Sequence, residues 1–151
     1  MGDLRIFDGG SNPVLVRDIC VRLGLQPGHI RHVRFANGEF CPIIEESIRG
    51  DDVFVLQTSC PPIDSQLVAM LITIDALKRA SASRITAVIP NFFYARQDKK
   101  SRGREPITAK LVANMIETAG ADRVVIVDLH SAPTQGFFDI PTDHLAALPI
   151  I

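Results

Sequence analysis

The sequence has no tryptophan, one tyrosine and three cysteines. Cys20, Cys41 and Cys60 are odd in number and widely spaced, which fits neither a disulfide framework nor a zinc knuckle. They read as reduced, mostly buried thiols of a cytoplasmic protein. An excess of one charge is also missing: 16 Lys and Arg meet 17 Asp and Glu, a net charge of -1. A surface that follows a nucleic-acid backbone is usually basic, so no nucleic-acid partner is expected. No apolar run approaches the roughly 20 residues that span a bilayer, so no membrane partner is expected either. The opening MGDLRIFDGG carries acids early and lacks the apolar core of a secretory signal. Ile6 stands where a myristoylation site needs Ser or Thr.

What remains is ordinary globular composition, 46% hydrophobic and 22% charged, in 151 residues that suit one domain. Residues 4–7 read as a short strand. Ser11-Asn12-Pro13 opens a helix, a cap residue followed by Pro in the first turn, whose apolar face is Val14, Leu15, Ile19 and Leu23, and Gly24 stops it. Residues 30–35 and 40–44 read as extended, joined at Asn37-Gly38, where both residues tolerate positive φ. This hairpin is expected as an antiparallel addition at a sheet edge. Asp51-Asp52 follows Gly50 at a strand entry and reads as a solvated turn.

Val53–Leu56, Ile85–Ile89 and Val124–Val127 are unbroken apolar runs, as in strands buried on both faces. Between them lie helical patterns from Asp64 to Ala80 and from Ile107 to Ala119. Thr142 is expected to cap a short helix through Ala147. Leu148–Ile151 reads as the start of another strand, which suggests a piece of a longer chain. The alternation predicts an α/β fold: a doubly wound, mainly parallel sheet with flanking helices and an antiparallel hairpin.

Ligands of such sheets bind beyond the carboxyl ends of the strands. Three loops qualify there, 57–63, 90–106 and 128–141, and the last two are unusually polar for their length. The 90–106 loop concentrates Arg96, Lys99, Lys100, Arg102 and Arg104 beside Phe92, Phe93 and Tyr94. Two readings stand open. The cations bind phosphate and the aromatics stack on a base, or the loop is solvated and its aromatics turn into the core. The 128–141 loop carries Asp128 and His130, two apart and so able to face one side. Asp139 and Asp143 follow. Carboxylates with one imidazole suit a magnesium ion carried by a nucleotide; alternatively these groups cap turns.

Three stretches are more specific: Tyr-Ala-Arg-Gln-Asp-Lys-Lys at 94–100, Glu-Pro-Ile-Thr-Ala-Lys-Leu-Val-Ala-Asn at 105–114, and Asp-Leu-His-Ser-Ala-Pro-Thr-Gln-Gly-Phe-Phe-Asp-Ile-Pro at 128–141. With Ser-Ile-Arg-Gly at 47–50 and Asp-Ala-Leu-Lys-Arg-Ala-Ser-Ala at 75–82, they resemble the ribose-phosphate pyrophosphokinases. The resemblance runs from about residue 4 to the end. It implies a phosphoribosyltransferase-like fold and transfer of the β,γ-diphosphoryl group of ATP to C1 of ribose 5-phosphate. The products are phosphoribosyl pyrophosphate and AMP. Magnesium as cofactor and homo-oligomers, hexamers built from dimers, are implied too.

The resemblance assigns ATP contacts to Arg96, Gln97 and His130. It assigns Phe35, Asn37, Gly38 and Glu39 of the hairpin to a neighbouring subunit's ATP. His130, Asp128, Asp139 and Asp143 match magnesium positions. Ser47, Arg49, Gln135 and Asp143 match a regulatory phosphate site, where His144 replaces the commoner Asn and Thr134 a usual aliphatic residue. The family's second half carries an acidic, Thr/Gly-rich ribose-phosphate loop and a mobile loop with a catalytic Lys and Arg. Neither motif occurs here, so no catalytic residue is expected in this half. Residues 1–151 then form one N-terminal ATP-binding and assembly domain, inactive in isolation. The alternative is a non-catalytic, synthetase-associated regulatory subunit.

Overall fold

The structure, a computed structural model, describes residues 2–147; the strand expected at 148–151 lies outside them. Five strands form one parallel sheet: β1 (Leu4–Asp8), β4 (Asp52–Leu56), β5 (Arg84–Ile89), β6 (Arg123–Val127) and β7 (Thr142–Leu145), side by side in that order. Helices α1 (Pro13–Leu23), α2 (Ile63–Arg79) and α3 (Thr108–Ala119) flank it. Strands β2 (Ile30–Arg34) and β3 (Phe40–Ile44) make a separate antiparallel pair. A 3-10 helix, Ala132–Phe137, lies between β6 and β7.

Alternation along the strands sends side chains to two faces. Phe7, Val53, Val55, Ile85, Ala87, Ile89, Val124 and Ile126 join the larger core with Met70, Ile74 and Leu77 of α2 and Val112 and Ile116 of α3. Ile6 and Leu56 face the other way, against Val16 and Cys20 of α1. Burying one such side chain stabilises by about 1.5–3 kcal/mol, so this interior dominates the fold. Helices therefore cover both faces. The strand order rises without a reversal, so the functional edge is marked by its loops and not by a switch point.

Helix α1 starts as its sequence predicts. The Asn12 side chain accepts the Leu15 N–H at 3.1 Å, Pro13 occupies the first turn, and Gly24 closes the helix at φ 69°. Such a cap contributes ~1 kcal/mol. The buried stripe differs from expectation. Val16 and Cys20 point inward, with Leu15 and Ile19 at the margin, while Val14 and Leu23 are more than half exposed. The sheet needs only the narrow stripe set by the i, i+4 pair. Burial pushes the Cys20 thiol pKa upward, and all three cysteines are free.

The hairpin is not a sheet edge. It packs on α2, and Ile30 and Ile44 close over the main core. Only Gly38 takes positive φ, at 92°. Its N–H donates to Phe35 O at 2.8 Å, and the Asn37 side chain accepts the Glu39 N–H. Asp51 is not a solvated turn either: it is buried and accepts from the Asp3 N–H and Arg5 Nε.

The helix expected from Thr142 is strand β7. It pairs in parallel with β6, Val124 opposite Thr142 and Val127 opposite Leu145. Local residues such as Leu145-Ala146-Ala147 favour helix, but β6 would otherwise present an unpaired edge. Thr142 Oγ1 donates to Ile140 O, so its hydroxyl caps no helix. Among the described residues, no helix is long and apolar enough to cross a membrane.

Candidate functional site

Three successive strands of the sheet end in loops that meet around one cavity of about 510 Å3. Ser59 and Ile63 come from the segment after β4. Asn91, Phe92, Tyr94, Ala95, Arg96 and Gln97 come from the loop after β5, and Asp128 and His130 follow β6. Residues far apart in sequence thus converge where a parallel sheet presents its carboxyl edge.

The Arg96–Gln97 turn is tied at both ends. Phe92 and Phe93 are buried in the core, Phe92 edge-on to Phe138 at 5.6 Å between ring centroids. Of the three aromatics, only Tyr94 is not fully buried; it stands half-buried in the cavity wall. Tyr94 adopts the left-handed region at φ 54°. Its carbonyl accepts the Gln97 N–H at 2.8 Å, closing the turn. Gln97 in turn receives the Ala109 N–H on its carbonyl and Thr108 Oγ1 on Oε1, both from the start of α3. Arg96 is exposed at the cavity and has no acidic partner among the described residues, nor have the exposed Lys99, Lys100, Arg102 and Arg104. Glu105 accepts the N–H groups of Ser101 and Arg102, which shapes the rest of the loop. Of these cations only Arg96 lines the cavity, as an unpaired guanidinium with the bidentate donor fork that suits carboxylate or phosphate oxygens.

Strand β7 and Ala147, two residues beyond it, hold the opposite wall. Asp128 takes positive φ, 48°, and its N–H donates to Leu145 O at 2.9 Å. The Asp128 carboxylate accepts the Ala147 N–H at 3.0 Å, and the Leu129 N–H donates to His144 Nε2 at 3.1 Å. Lys110 Nζ on α3 donates to Phe137 O at 2.6 Å, and Glu117 accepts the Asp139 N–H. His130 is left exposed with its ring at the cavity.

The other residues singled out from the sequence fall elsewhere. Asp139 is exposed and lines neither this cavity nor the groove by the hairpin. Asp143 accepts from Arg123 Nε at 2.7 Å, on the sheet face opposite His144. Neither joins Asp128 and His130. Among the described residues no three His, Cys, Asp or Glu side chains gather to hold a metal. Phe35, Gly38 and Glu39 line a different groove of about 620 Å3, together with Asp64, Ser65 and Val68 of α2; Asn37 sits in the turn above it. Ser47, Arg49 and Gln135 are exposed and line neither space. Ser59 and Ile63 fall within the 57–63 loop expected at the carboxyl edge of the sheet, whereas sequence reasoning missed Asp64, whose only signal is its position in the first turn of α2.

The sequence profile of the N-terminal domain of ribose phosphate pyrophosphokinase matches residues 4–120. The ribose-phosphate pyrophosphokinase of Clostridium acetobutylicum is 53% identical over 149 residues, covering 99% of this chain and 47% of that protein. That of Rhodopirellula baltica is 54% identical over 151 residues, covering 100% of this chain and 48% of its own length. The crystal structure of phosphoribosylpyrophosphate synthetase from Mycobacterium smegmatis superposes with a TM-score of 0.95 at 50% identity, over 98% of this chain and 50% of that one. The chain spans about half the length of the curated relatives it matches. With the profile, the sequences and the fold in agreement, the chain belongs to the ribose-phosphate pyrophosphokinase family, through that family's N-terminal domain.

Proposed function

We propose that this chain is the nucleotide-binding and assembly half of a ribose-phosphate pyrophosphokinase. In the complete reaction the C1 hydroxyl oxygen of ribose 5-phosphate bonds to the β-phosphorus of ATP. The bond from that phosphorus to the α-phosphate oxygen breaks, and AMP leaves. The observation that carries the reading is the meeting of Arg96, Gln97, Asp128 and His130 around one cavity. Phosphoryl-type transfer is mostly positioning and charge stabilisation. The Arg96 fork would clamp phosphate oxygens, the Gln97 amide would orient the nucleotide, and His130 would hold the phosphate end.

The donor set also fits magnesium that arrives with the nucleotide. One carboxylate and one imidazole, Asp128 and His130, are too few for a resident cage but suit an ion that keeps waters and phosphate oxygens. When bound, the ion neutralises phosphate charge. Asp139 lies outside the cavity and Asp143 accepts from Arg123, so this reading rests on Asp128 and His130.

The hairpin residues Phe35, Asn37, Gly38 and Glu39 stand apart from this cavity, which suits service to a second copy's nucleotide in a homo-oligomer. A phosphate site at Ser47, Arg49, Gln135 and Asp143 gathers around neither space in one chain, and Asp143 is engaged by Arg123. It requires an assembled neighbour. Nothing in the site favours a non-catalytic associated subunit, since Arg96, Gln97 and His130 are in place.

Titration of the chain with ATP and magnesium by calorimetry tests the reading. Saturable binding is expected, and Arg96→Ala should weaken it about 10-fold or more, since a charge-assisted hydrogen bond is worth about 1.5–3 kcal/mol. Turnover with added ribose 5-phosphate should be absent. Unaltered affinity in Arg96→Ala and His130→Ala together would sink the assignment.

A further inference from the structure

We infer that Asp64 is a positioning residue for the nucleotide cavity: its carboxylate tethers the Tyr94 phenol and so sets the Arg96–Gln97 turn. The functional meaning rests on the nucleotide reading above; the tether itself does not.

Asp64 sits in the first turn of α2, thirty residues before Tyr94 in sequence. The Tyr94 hydroxyl donates to Asp64 Oδ1. A carboxylate in the first turn of a helix is favoured by the helix dipole, which holds the acceptor in place. Tyr94 needs a tether because its backbone is in a region that bulky side chains avoid, φ 54°. That backbone allows the Tyr94 carbonyl to accept the Gln97 N–H and turn Arg96 and Gln97 toward the cavity. The far end of the turn is fixed to α3 through Ala109 and Thr108. At the near end Phe93 lies in the core, Tyr94 packs at its margin, and the hydrogen bond from the Tyr94 phenol reaches α2. Asp64 thus ties the first turn of α2 to the phosphate-facing turn, as Thr108 ties α3 on the other side.

The hydrogen bond to Asp64 also raises the Tyr94 phenol pKa above its ordinary value, with lesser contributions from desolvation and the Asp64 charge. This gives a readout that needs no nucleotide. Tyr94 is the only tyrosine and tryptophan is absent, so phenolate absorbance in an alkaline titration reports this one group. The other charged groups at the cavity, Arg96, Asp128 and His130, are the same in every variant.

The experiment pairs that titration with MgATP affinity for wild type, Asp64→Ala, Asp64→Asn, Tyr94→Phe and the Asp64→Ala/Tyr94→Phe double variant. Asp64→Ala should return the phenol toward ordinary tyrosine. Asp64→Ala and Tyr94→Phe should each weaken MgATP by about 3- to 10-fold, and the double variant by no more than either. Asp64→Asn keeps an oxygen acceptor and should hold affinity within about twofold. Additive losses, or a phenol that ignores Asp64→Ala, overturn the inference. If wild type binds no MgATP while Asp64→Ala still releases the phenol, the tether stands and the nucleotide reading is overturned.

Discussion

Gly28→Ala should destabilise this protein more than any glycine substitution on an open surface. A Cβ at Gly28 would lie 2.4, 2.6 and 2.7 Å from three ring atoms of Phe7. Phe7 is fully buried on the core face of β1, so the ring has no free volume to enter. Nor can the backbone easily withdraw, because the Gly28 N–H donates to Ile6 O at 2.7 Å. Overpacking of a closed core costs about 1–3 kcal/mol, and the fixed ring puts this site at the upper end. Restriction of the unfolded chain by the added methyl returns about 0.4–1 kcal/mol. A net loss of about 2 kcal/mol follows, a fall of about 4–8 °C in Tm for a chain of this size. Gly38→Ala is the control. It has φ 92° and nothing within 4 Å, so it should lose only the left-handed strain, about 1 kcal/mol. Urea unfolding of both, and of Gly28→Ala combined with Phe7→Leu, measures the terms. The double variant should recover at least about 0.5 kcal/mol relative to the sum of the singles. A Gly28→Ala protein as stable as wild type, or strict additivity with Phe7→Leu, would refute the steric argument. The same contact steers the chain from α1 into the hairpin, so Gly28→Ala should also disturb the groove at Phe35 and Glu39.

Thr134 is fully buried and its hydroxyl has no hydrogen-bond partner among the described residues. Thr134→Val should therefore stabilise by about 1–3 kcal/mol, read as a higher urea midpoint. The raised Tyr94 pKa means folding is favoured by the protonated phenol; that contribution is full below the ordinary tyrosine pKa and is lost as pH rises through and beyond it. Asp64→Ala should flatten that alkaline fall in denaturant melts: the variant is less stable than wild type near neutrality, and the gap closes as pH rises through the phenol titration. Glu39→Ala should weaken nucleotide binding only in assembled protein, measured against matched monomeric samples; equal weakening in the monomer would contradict service to a neighbour.

Much of the fold was written locally. Asn12, Pro13 and Gly24 bound α1 by hydrogen-bond and φ preferences that need no tertiary partner. Unbroken runs such as Val53–Leu56 announce strands buried on two faces, because only there is every position dry. The family was legible in the 94–100, 105–114 and 128–141 stretches, and Arg96, Gln97, Asp128 and His130 do converge. What sequence spacing left open was which neighbours share a face. Helix against strand at Thr142 was decided by the free edge of β6, whose paired residues lie eighteen positions earlier, and not by local propensity. Once β7 is a strand, alternation sends His144 to the loop of His130 and Asp143 to Arg123 on the other face. Packing likewise took Phe92 and Phe93 into the core and left Tyr94 at the cavity, where α2 supplied Asp64. The sequence by itself determined most of the elements, the family and the chemistry on offer. Only the tertiary structure decided which of those groups meet, because face and distance depend on pairings that no local window contains.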